Sequence, residues 1–379
     1  MATQPDDLDA LIGALNSEAD RLGSSARDEE LHGWIRHVVE HHGSDLLLVT
    51  GSPPVMRLDG SLKAIGTVAL NDQDVEDAIV PLLPAHAAKE YQRTNIVDAS
   101  LRLRGSARLR VNLHHERGRP AAAIRILPTH VPQLANLGLP PEVEQLTRLS
   151  SGLVLVGGAT GSGKTTTVAA LIDALNRRER KHIVTVEDPI EYEHANHLGL
   201  VEQVEVGIDA PDFPTALRAA VRQAPDILVI GEMRDHESMR IALSAAETGH
   251  LVFSTLHTLD VASTVGRICD SFPNERQNTI RQELSWALAA VLTQTLIPGP
   301  SGGRVPAAEL LMVSYGARQH IRKNALQHLH QEITITRKLG SFTLEESLAR
   351  LVKQGLISAS DATVRSRHPD EMDALLRQG

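Results

Sequence analysis

Residues 153–165 read LVLVGGATGSGKT. Leu153–Val156 is an unbroken apolar run, which suits a strand buried on both faces. Gly158–Thr165 then fits the pattern G-x-x-x-x-G-K-[ST]. Beyond it Val168, Leu171, Ile172 and Leu175 recur at helical spacing. Strand, glycine loop and helix in that order predict a nucleotide-phosphate site. The glycines let backbone N–H groups curl inward around phosphate, and the helix N-terminus adds partial positive charge. Lys164 is expected to reach the β- and γ-phosphates, and the Thr165 hydroxyl to ligate Mg²⁺. Gly158, Thr160, Gly161, Ser162, Gly163 and Thr166 complete the expected binding set. ATP and Mg²⁺ are the implied substrate and cofactor.

Downstream, Ile183–Val186, Ile227–Ile230 and Leu251–Phe253 are further apolar or β-branched runs separated by helical stretches. Such alternation predicts an α/β domain with a parallel sheet covered on both faces. Upstream the pattern differs. Leu31, Trp34, Ile35, Val38 and Val39 mark a helix that His42-Gly43 ends. Leu46–Val49 reads as a strand, Gly51–Pro54 as a turn and Asp59-Gly60 as a hairpin signal. One helix is expected around residues 73–91. Leu109, Val111 and Leu113 alternate with Arg108, Arg110 and Asn112, and Ile124-Arg125-Ile126 repeats the alternation. These features predict an α+β domain with an antiparallel sheet over 29–130, a linker over 131–140 and the α/β domain over 141–379. Residues 1–28 are polar apart from a stripe of Leu8, Leu11, Ile12 and Leu15, which fits either a short amphipathic helix or a loosely ordered extension.

Composition narrows the function. The chain has 379 residues, and 38 basic against 47 acidic side chains leave a net charge of −9. A dedicated nucleic-acid binder usually carries a basic surface, and base stacking needs aromatics, which are only 2% here. The single cysteine, Cys269, forbids an intrachain disulfide and any cysteine-based zinc cluster. No apolar run approaches the roughly 20 residues of a membrane helix. The acidic N-terminal stretch differs from a basic signal peptide, so a cytoplasmic chain without membrane insertion is expected.

Three segments carry further chemistry. Ile227–Ile230 leads into Gly231-Glu232, which puts an acid where a Walker B carboxylate sits beside the metal and its waters. A surface glutamate after a core strand is the alternative. Glu187, Asp188 and Glu191 follow another apolar strand, at the sheet edge where ligands bind in such folds. One of them could orient or deprotonate the attacking water, unless the group is a solvated loop. His250 and His257 flank the run at 251–255, and His257 is placed to contact a γ-phosphate.

Taken together, GATGSGKT (158–165), VEDPIE (186–191), GEMRD (231–235) and AAETGHLVFSTLHT (245–258) resemble the secretion ATPases of type IV pili and type II secretion. Within that superfamily the chain resembles the pilus retraction, PilT-like family. SDLLLVTGSPPVMRLDG (44–60), RLRVN (108–112) and GGRVPAAELLM (302–312) match it too. So does TLEESLARLVKQGLIS (343–358), and residues 317–323 are similar to its AIRNLIR segment. The likeness spans about 30–379. It implies a PAS-like first domain, a RecA-like second domain and a homohexameric ring. Glu191 would be the catalytic glutamate, Glu232 the Walker B acid and second metal ligand, and His257 a γ-phosphate contact. Glu187, Asp188 and His250 would support them. Arg110 and Arg125 match the family's arginine pair, where planar, permanently charged groups suit developing phosphoryl charge. The implied activity is ATP hydrolysis driving pilus retraction and twitching motility through an inner-membrane platform protein. The chain would then sit at the membrane's cytoplasmic face at the pilus base, alone or with other pilus ATPases, and would bind no nucleic acid directly. An accessory paralogue with little turnover is the alternative, because Gly316-Ala317 and Gln319-His320 depart from the family's segment.

Overall fold

The computed structural model describes residues 26–58, 61–103, 107–300 and 302–377. The helix expected in the N-terminal extension lies outside them, as does the Asp59-Gly60 turn. The chain forms two compact units, residues 1–130 and 131–379.

Among the described residues the first unit opens with the helix Ala26–Glu40, and Leu31, Ile35, Val38 and Val39 on one face of it are buried. Six strands follow: β1 (Asp45–Val49), β2 (Val55–Leu58), β3 (Ser61–Ala64), β4 (Ile96–Arg102), β5 (Arg108–Glu116) and β6 (Arg119–Leu127). They form one antiparallel sheet in the order β3-β2-β1-β6-β5-β4. Leu46, Leu48, Leu109, Val111, Leu113 and Ile124 are fully buried beneath it. The single helix expected over 73–91 is two, Asp72–Ile79 and Ala85–Thr94. Pro81 and Pro84 break it, since proline lacks the N–H and clashes with the preceding turn. A capping box between Asn71 and Asp74 starts the first of the two.

The second unit is built on β7 (Gly152–Gly157), β8 (His182–Glu187), β9 (Leu200–Glu205), β10 (Ile227–Ile230), β11 (Leu251–Leu256), β12 (Leu288–Pro298) and β13 (Arg304–Met312). Their order is β13-β12-β7-β11-β10-β8-β9. All neighbours are parallel except β12 and β13. The continuous apolar runs have a direct cause. Leu153 and Leu155 pack into one core with Leu228, Ile230 and Val252. Val154 and Val156 pack on the opposite face with Ile183, Ile227 and Phe253. A fourth core joins Ile297 and Ala307 to the C-terminal helices through Leu344, Leu348 and Met372. The register sets Gly157 beside Leu256 and Thr293, and Ile230 beside Val186 and Ser254. The C-terminal ends of β7, β8, β10, β11 and β12 therefore share one edge.

Candidate active site

The phosphate loop leaves β7 at this edge and enters the helix Lys164–Arg178. Gly158, Gly161 and Gly163 have φ of +153°, +77° and +89°, where only glycine is unstrained. Thr160 and Gly161 are exposed at the rim, Ser162, Lys164 and Thr166 are buried, and Thr165 is half-buried. The buried Ser162 Oγ has no hydrogen-bond partner. An orphaned donor facing into such a loop fits a phosphate oxygen.

Lys164 Nζ donates to the carbonyls of Gly158 at 2.8 Å and Ala159 at 3.0 Å, and lies 3.5 Å from His257 Nδ1. Burial pulls its pKa down, and the Glu232 and Glu191 carboxylates oppose that pull. Glu232 Oε2 is 2.8 Å from Arg234 Nη2, and Oε1 is 3.2 Å from His257 Nε2. Burial alone would raise the Glu232 pKa, but Arg234 and His257 outweigh it and hold the carboxyl below its ordinary range. Lys164, His257, Glu232 and Arg234 thus form one chain of contacts across β7, β11 and β10. Asp188 adds negative charge near Arg234, whose main partner is Glu232. Sequence reasoning had not singled out Arg234, although it lies within GEMRD.

Glu191 is tethered from both sides. Ile190 N–H donates to Glu205 Oε2 at 3.2 Å. Gln203 Nε2 donates to the Tyr192 carbonyl at 2.9 Å, and the Tyr192 hydroxyl meets Thr166 Oγ1 at 3.1 Å. Gln203 and Thr185 also donate to Glu187 Oε1, at 3.1 and 2.7 Å. Burial pushes the Glu187 pKa up in spite of these bonds. Glu187 therefore anchors β9 and the segment carrying Glu191. Tyr192, Gln203 and Glu205 carry no recognisable motif, and only strand pairing between β8 and β9 brings them together.

His250 lies at the other end of β11 from this edge. It precedes β11, whose six residues separate it from His257. Seven steps at about 3.3 Å per residue set the two roughly 23 Å apart along the strand. Its Nδ1 is 2.9 Å from the Ala245 carbonyl, at the C-terminal end of the helix His236–Glu247. Arg110 and Arg125 are cross-strand partners in the first unit. Both point away from the buried Leu109, Val111 and Ile124, and Arg125 Nε donates to Asp45 Oδ1 at 2.9 Å.

The arrangement offers a loop for phosphate, a buried cation and two carboxylates in its field. Thr165 and Glu232 are hard oxygen donors, which suits Mg²⁺, an ion that takes few protein ligands beside phosphate and water.

A family model for type II/IV secretion system proteins matches residues 96–354. The type IV pilus retraction ATPase PilT of Pseudomonas aeruginosa is 40% identical over 327 residues, covering 86% of this chain and 95% of its own. The type IV pilus ATPase PilU of the same organism is 32% identical over 351 residues, covering 92% of each chain. A crystal structure of the pilus retraction motor PilT with bound ADP superposes with a TM-score of 0.83 at 39% identity, covering 93% of this chain and all of that one. The chain belongs to the type II/IV secretion system protein family and, within it, to the pilus retraction ATPases.

Proposed function

We propose that this chain hydrolyses Mg-ATP to drive retraction of a type IV pilus. The contact chain Lys164–His257–Glu232, with the tethered Glu191 in the field of the same lysine, is the observation that carries the reading. Lys164 neutralises the β- and γ-phosphates, exchanging loop carbonyls for phosphate oxygens. Thr165 and Glu232 would hold Mg²⁺, which would supply positive charge to offset that of the transferred phosphoryl group. Glu191 polarises the attacking water, and Glu187 with Asp188 shapes its surroundings. His257 contacts the γ-phosphate side and reports its presence to Glu232. Arg110 and Arg125 supply planar cations for phosphoryl charge. The γ-phosphate must favour one conformation differentially for hydrolysis to produce motion.

The working form proposed is a homohexamer at the cytoplasmic face of the inner membrane, acting on a pilus platform protein. Among the described residues no helix is long and apolar enough to cross a membrane. The greater identity to PilT than to PilU supports a motor over an accessory ATPase. ATP hydrolysis measured across a size-exclusion profile, beside Glu191→Gln, tests this. Activity is expected to follow a six-subunit peak and to fall at least about 100-fold in the variant. A folded wild type that binds ATP but stays monomeric and inert would overturn the motor reading in favour of a low-turnover paralogue.

A further inference from the structure

Gln294 lies on β12, far in sequence from every motif that defines the nucleotide site. Strand register places Thr293 opposite Gly157. Gln294 is thus the first residue of β12 beyond the point where β7 turns into the phosphate loop. Its side chain is almost wholly buried, at 6% exposure. Its amide is used at both ends. Nε2 donates to the Ser162 carbonyl at 2.6 Å, and Oε1 accepts from Thr167 Oγ1 at 2.8 Å. One planar group thereby joins the loop's last turn to the first turn of the helix that follows it.

Gly163 makes room for this contact. A Cβ at Gly163 would lie 2.9 Å from Nε2, and one at Gly158 would press on the backbone carbonyl oxygen of Gln294 at 2.6 Å as well as on Ser162 Oγ. Gly163, which the motif assigns to phosphate, is therefore also required by the Gln294 amide, and Gly158 by the close approach of the β12 backbone. The contact fixes a direction as well. A peptide is planar and trans, so its C=O and the following N–H point opposite ways. Holding the Ser162 carbonyl on Gln294 aims the Gly163 N–H away from β12. A buried amide with both ends paired is more than filler, since an apolar side chain of the same volume would pack without placing two donors and acceptors.

We infer that Gln294 is a positioning residue for ATP binding: its bridge between Ser162 and Thr167 holds the phosphate loop in the conformation that accepts phosphate. The inference rests on the nucleotide site proposed above, and its test separates the two. In the full-length protein, hydrogen exchange of residues 157–163 without nucleotide reads the anchoring directly. Steady-state ATPase kinetics read its consequence. Gln294→Leu removes both bonds at similar volume. Gln294→Glu keeps the acceptor for Thr167 and loses the donor to Ser162. Both variants are expected to exchange faster in the loop and to raise KM about tenfold, the loss of roughly one net hydrogen bond from binding. At saturation kcat should change less than about threefold, because bound phosphate restores the loop. A merely structural role would lower the active fraction and so kcat, with KM unchanged. Should Gln294→Leu fail to fold, Thr167→Val should raise KM while Thr167→Ser retains the wild-type value. Wild-type exchange and KM in Gln294→Glu, or equal KM in the two Thr167 variants, would overturn the inference. Faster loop exchange in a protein whose wild type binds no nucleotide would support the anchoring and sink the proposed function instead.

Discussion

Glu232 Oε1 lies 3.2 Å from His257 Nε2, so a side chain at the end of β10 touches one at the end of β11 directly beside Lys164. Arg234 closes the other side of the same carboxylate at 2.8 Å. This relationship makes the charge on Glu232 depend on neighbours that the phosphate loop does not contain.

Arg234→Ala should therefore move the acid limb of the pH–rate profile upward. In the wild type, Arg234 and His257 hold the Glu232 pKa below its ordinary value of 4.5 against the opposing effect of burial. The ionised form then persists until pH falls through that lowered value. Without Arg234 the burial penalty is less opposed, and activity should begin to fall at higher pH. Coincident acid limbs in variant and wild type would show that Glu232 does not govern the profile.

Glu187→Gln should stabilise the protein, and more so as pH rises. Burial raises the Glu187 pKa above 4.5. A carboxyl raised in the folded state favours the fold at low pH, and that contribution is lost as pH rises through the folded pKa. Glutamine keeps an oxygen to accept from Thr185 and Gln203 while shedding the buried charge. Denaturation midpoints at pH 5 and pH 8 should show a gain that is larger at pH 8. A variant less stable than wild type at both pH values would contradict the assignment of Glu187 as a desolvated anchor.

Tyr192→Phe removes the 3.1 Å bond between the tyrosine hydroxyl and Thr166. The loss should cost about 1 kcal/mol of stability, the usual net worth of such a bond. Because Glu191 is the adjacent residue, kcat should fall several-fold while nucleotide affinity changes little. Chemical denaturation and single-turnover hydrolysis measure the two effects separately. An unchanged kcat would detach Tyr192 from the placement of Glu191.

Arg125 is paired with Asp45, but its side chain is 60% exposed. An ion pair this accessible to water contributes at most about 1 kcal/mol, so Arg125→Ala should leave the melting temperature nearly unchanged. If Arg110 and Arg125 face phosphoryl charge, alanine at either should lower kcat at least about tenfold. Wild-type turnover in both variants would return the pair to the solvated surface of the first unit.

Much of this protein was determined by local sequence. The runs at 153–156, 183–186, 227–230 and 251–253 are strands of a parallel sheet, because burial on two faces demands continuous apolar residues. The glycine-lysine spacing gave a loop whose positive φ values only glycine adopts without strain, and it placed Lys164 at the sheet edge beside Glu232 and His257. The two prolines that split the expected helix at 73–91 were also in plain view, and a strict proline rule would have found the break. Other features depended on tertiary structure. His250 and His257 lie close in sequence, yet an extended strand carries them to opposite ends of the sheet. Ser162 and Gln294 are 132 residues apart, yet they share a 2.6 Å hydrogen bond because β12 pairs with β7 in one register. Periodicity records which face of an element is buried. Which side chain meets which across a sheet follows only from strand order and register, and these are settled when the whole core packs.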